Sequence, residues 1–74
     1  MTLNQQENEW LECYEAWSDW TYHEAAERGY NHAAARDAYA HYSRLATAYE
    51  ERHGSRFIAN PEHSSTLYQK RRAA

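Results

Sequence analysis

Helix breakers are so sparse in this 74-residue chain that they dictate its layout: two glycines, Gly29 and Gly54, and one proline, Pro61. Each glycine closes a long stretch without interruption, and glycine just past a helix end is a common stop. Asn31, two residues after Gly29, stands where an N-cap is wanted. Thr2 with Gln5 three residues on reads as a capping box. The spacing predicts helices over about residues 3–28 and about residues 32–53, joined by a turn at Gly29, Tyr30 and Asn31. A connection that short makes the two helices antiparallel neighbours.

Periodicity agrees. At about 100° per residue, the first helix sets Leu3, Trp10, Cys13, Tyr14, Trp17, Trp20 and Thr21 on one side, with Glu12, Glu15, Asp19 and His23 opposite. The second lines up Ala35, Ala38, Tyr39, Tyr42, Leu45, Ala46 and Tyr49 in a stripe about 120° wide. Antiparallel pairing sets Trp17 near Tyr42, Trp10 near Tyr49 and Trp20 near Tyr39. The small alanines let indoles pack close. The apolar arc of the first helix, however, runs on to Leu11 and Tyr22, wider than one partner stripe can bury. Its remainder is expected to face a third segment, a second copy or a different protein.

Residues 55–74 offer such a segment. Phe57 and Ile58 form a short apolar patch, and Asn60-Pro61-Glu62 reads as N-cap, first helical proline and first-turn acid. Leu67 and Tyr68 would give the helix a small apolar face, and Lys70, Arg71 and Arg72 suit its negative end. Two outcomes stay open: a third short helix, or a tail that packs only through Phe57 and Ile58.

At this size a lone core supplies no more than about 3–5 kcal/mol, so extra burial from a partner is expected. Cys13 is the only cysteine, which forbids an internal disulfide and any cysteine-rich zinc site. It sits on the apolar face and is expected to be a buried, unreactive thiol. There is no apolar run long enough to span a membrane and no leader-like start, so a cytoplasmic protein is expected. Between Met1 and Arg-Arg-Ala-Ala the chain is expected to be a complete short reading frame, of a style phages and mobile elements often encode.

The net charge of −3 conceals an asymmetry. Glu7, Glu9, Glu12, Glu15, Asp19, Glu24 and Glu27 precede the first Lys or Arg, Arg28, whereas Arg56, Lys70, Arg71 and Arg72 make the C-terminal end basic. The two ends are expected to attract one another within a chain or between chains. The acidic face of the first helix is read as solvated, with docking on a basic surface as the sharper alternative. Three cations beside Tyr68 also suggest phosphate neutralisation with base stacking. Against that, a pI near 5.9 is acidic for a nucleic-acid-binding domain.

Chemistry is thinly represented. Glu50 and His53 have the Glu-x-x-His spacing of di-iron bundles, but a dinuclear site would need further carboxylates, Glu7 being the nearest expected, and a second copy. Glu24 projects into the apolar arc and is expected to pair with His32 or Arg36. No metal, cofactor or catalytic residue is expected. The chain therefore reads as one all-α domain over residues 1–74, a helical hairpin through residue 54 with a C-terminal segment, dimerising into a four-helix arrangement. Its expected role is non-enzymatic: a regulator or inhibitor that binds another protein through Trp10, Tyr14, Trp17, Trp20 and Tyr22. The alternative is a nucleic-acid-associated regulator using Tyr68, Lys70, Arg71 and Arg72.

Overall fold

A computed structural model describes residues 2–26 and 33–73. They form three helices, α1 (Gln5–Ala26), α2 (Ala33–His53) and α3 (Pro61–Ala73), with no strand among the described residues. The expected turn at Gly29, Tyr30 and Asn31, and the expected helix ends at 27, 28 and 32, lie outside the described residues. No described helix is long and apolar enough to cross a membrane.

The first helix starts later than the sequence suggested. Asn4, not Thr2, is the cap: its side-chain oxygen accepts the Glu7 amide at 2.8 Å, and Glu7 accepts the Asn4 amide at 2.9 Å. This is a reciprocal capping box. Asn4-x-x-Glu7 outcompetes Thr2-x-x-Gln5 because a carboxylate both accepts the backbone N–H and favours the positive end of the helix dipole.

α2 ends where predicted. Gly54 adopts φ 69° and donates its amide to the Glu50 carbonyl at 2.9 Å. That left-handed residue swings the chain back across the hairpin. Glu50 then accepts the Phe57 amide at 3.1 Å through its side chain, which pins the returning strand of backbone.

The third helix forms, so the open choice for the C-terminal segment resolves in favour of a helix rather than a loose tail. Asn60 caps it by accepting the Glu62 and His63 amides at 3.0 and 3.2 Å, with Pro61 first in the helix. At 13 residues α3 is too short to hold itself together in water, so its stability comes from packing. Leu67 and Ser64 are its buried residues. α3 packs on α1 and, among the described residues, not on α2.

The core gathers Trp10, Leu11, Cys13, Tyr49, Phe57 and Leu67. Phe57 is its wedge: the ring lies 5.4 Å from Trp10, 5.9 Å from Tyr42 and 6.3 Å from Tyr49. The wide arc of α1 is thus shared between two neighbours. Cys13 and Ala16 are buried on the α2 side, while Leu11 is buried with Leu67 of α3 in the same core.

Candidate functional site

Charge first ties the ends together. Lys70 Nζ lies 3.0 Å from both carboxylate oxygens of Glu7. The Tyr68 hydroxyl donates to Glu15 at 2.8 Å, and Arg71, 3.9 Å from Glu15, also lies over the Tyr68 ring at 5.1 Å. Adjacent residues of α3 therefore reach carboxylates eight positions apart on α1, about 12 Å at 1.5 Å per residue, so α3 crosses α1 steeply. The expected attraction between acidic helix and basic end operates within one chain. Three of the four residues considered for nucleic acid, Tyr68, Lys70 and Arg71, face carboxylates; Arg72 has no ion pair among the described residues.

These contacts leave marks on the titrating groups. Glu7 is held below the ordinary carboxylate value by the Asn4 amide and then by Lys70. The Tyr68 phenol is pushed up to about 12 by burial and by its hydrogen bond to Glu15.

The same end of the hairpin carries a second clasp, between α1 and α2, that sequence reasoning missed. Glu9, rather than Glu7, meets the end of α2: His53 Nε2 lies 2.6 Å from its Oε2, and Arg52 bonds its Oε1. Gln5 Nε2 donates to the same Oε1 at 3.0 Å. The His53 hydrogen bond, then Gln5 and Arg52, holds the Glu9 carboxyl down to about 2. Helical rotation does put Glu9 on the α2 side, which was the available clue. Glu50 and His53 consequently serve different partners, the Phe57 amide and Glu9, instead of converging. Among the described residues no cluster of three or more His, Cys, Asp or Glu is arranged to hold a metal ion.

Cys13 is buried as expected, and burial, with nearby Glu12, Glu9 and Glu50, pushes its thiol up to about 11. Glu24 departs from expectation: it is exposed at the rim of the arc rather than projecting into it. His32, its other suggested partner, lies outside the described residues, and no ion pair joins Glu24 to Arg36.

The five aromatic residues expected to bind protein divide sharply. Trp10 belongs to the core, stacked on Tyr14 at 5.4 Å and met edge-on by His63 at 4.6 Å. Tyr14 and Trp17 are half-buried, with rings 5.5 Å apart. Trp20 is half-buried between Tyr39 at 4.8 Å, as the pairing predicted, and Tyr42 at 5.7 Å. Tyr22 is 68% exposed and Tyr39, not among the five, is 48% exposed.

This division follows from where α3 lies. Its polar and ring contacts fall on α1 between Glu7 and Glu15. The half of the hairpin beyond Glu15 has no such cover, and there Trp20, Glu24, Ala35, Arg36 and Tyr39 line an open cleft of about 400 Å³. On the other side of the hairpin Glu12, Glu15, Ala16, Asp19, His41 and Leu45 line a cleft of similar size, whose three acidic residues are exposed. No family model, curated protein or solved structure matches this chain.

Proposed function

We propose that the chain is a small non-enzymatic protein-binding factor, a regulator or inhibitor, whose contact surfaces lie on the half of the hairpin that α3 leaves uncovered. The observation that carries this reading is the exposure there of large aromatic rings, Tyr22 at 68% and Tyr39 at 48%, beside half-buried Trp17 and Trp20. Solvent-facing aromatics of this size are costly in a chain so polar, and they are the residues that most often dominate binding energy. Trp10 drops out of the contact set because Phe57 and His63 enclose it.

The non-enzymatic part of the reading rests on the side chains with chemical potential. Cys13 is buried with a raised thiol pKa, Glu9 and His53 are spent on each other, and Glu50 is spent on backbone. The nucleic-acid alternative is weakened by the engagement of Lys70 and Arg71 with α1 carboxylates.

The test compares affinity capture by the full chain with capture by Tyr22→Ser, both carrying the same tag. A protein retained by the wild type and lost by the variant is expected. Identical captured sets, with unchanged circular dichroism, would remove Tyr22 as a contact and the reading with it.

A further inference from the structure

We infer that the cleft lined by Trp20, Glu24, Ala35, Arg36 and Tyr39 seats a second copy of this chain, packed about a two-fold axis; this rests on the protein-binding reading above and names the partner for one of its surfaces.

The argument is charge complementarity. The floor of the cleft is apolar, formed by Trp20, buried Ala35 and the half-exposed ring of Tyr39. Its two walls carry opposite charges, Glu24 from α1 and Arg36 from α2. Both are exposed, and neither has an ion pair among the described residues. A purely acidic or purely basic partner helix would match one wall and clash with the other. A surface with one acid and one base on either side of an apolar centre is complementary to itself under a two-fold rotation. The rotation carries each α1 wall onto the α2 wall of the other copy, so Glu24 meets Arg36 of the second copy twice over. Ala35 removes side-chain bulk at the floor, and each Tyr39 ring becomes the knob received by the opposite cleft. Two hairpins joined this way make a four-helix arrangement. Tyr22, two positions and about 200° from Trp20 on α1, stays on the outside for a different protein.

Sedimentation equilibrium on the full chain over a concentration series up to about 1 mM is the measurement. The wild type is expected to approach twice its 8.8 kDa mass. Glu24→Arg or Arg36→Glu alone sets like charges against each other at both contacts, and each is expected to weaken the dimer at least about tenfold. Both changes in one chain restore the dimer, and a mixture of the two single variants forms a mixed dimer stronger than either alone. Both positions are exposed, so circular dichroism should stay unchanged in every variant. A wild type that is monomeric throughout, or a dimer indifferent to all three variants, overturns the inference. That failure is separable from failure of the broader reading, which is decided by capture of a different protein through Tyr22.

Discussion

The ammonium of Lys70 bridges both carboxylate oxygens of Glu7 at 3.0 Å, while Glu7 also accepts the amide of Asn4. One side chain therefore caps the first helix and anchors the last. Lys70→Glu would set two carboxylates against each other at this point, with Glu15 already close to Arg71 one residue on. The expected outcome is release of α3. Far-UV circular dichroism should lose ellipticity worth most of its 13 residues, and Trp10, no longer faced by His63, should emit to the red. An unchanged spectrum would mean that Leu67 and the Asn60 cap hold α3 without the ion pair.

Gly54 permits a cleaner measurement. Its φ of 69° is unfavourable for any residue with a Cβ, yet a Cβ built there meets nothing within 4 Å. Gly54→Ala is therefore expected to cost about 1–2 kcal/mol through backbone conformation alone. Urea denaturation should record a lower midpoint with an unchanged slope. A neutral result would indicate that the segment from Ser55 to Asn60 can return by a different path.

Acid should loosen the clasp between Glu9 and the end of α2. The Glu9 carboxyl titrates near 2 in the folded chain against an ordinary 4.5, so its ionised form favours folding. That contribution is complete above about pH 4.5 and disappears as pH falls towards 2. Glu9→Gln is expected to flatten the decline of the melting temperature across this window relative to wild type. Glu7, shifted in the same direction, leaves some slope in the variant. Parallel curves for the two proteins would show that Glu9 contributes nothing specific.

Much of this architecture can be read from residue order, because the informative residues act locally. Asn60 and Pro61 begin a helix and Gly54 ends one through groups within a turn of themselves. The Trp20–Tyr39 contact follows from antiparallel register. What escaped notice depends on the third dimension. Periodicity marks Leu11 and Trp10 as apolar without naming what covers them, and the coverings are Leu67 and Phe57, far along the chain. Glu9 looks like one more solvated acid until Arg52 and His53 arrive beside it. The same ambiguity hid Tyr39 and kept Trp10 among the contact residues, since an aromatic stripe does not say where its neighbour ends.

Cys13 offers a probe of opening. With its thiol pushed to about 11 and its side chain 1% exposed, little thiolate is present at neutral pH and less is reachable. Labelling by an aromatic disulfide reagent at about pH 8 is expected to run at least about a hundredfold slower in the folded chain than in denaturant. Comparable rates would mean that the α1–α2 seam opens frequently in the native state.

Because α2 and α3 each lean on α1 and not on one another, α1 acts as the hub of a star with two spokes. Such a molecule has an order in which it comes apart. The short spoke can detach and leave the hairpin standing, whereas damage to the hub strands both partners at once. Tolerance to sequence change should follow the same hierarchy, widest along the outer face of α3 and narrowest on the two faces of α1 that meet α2 and α3.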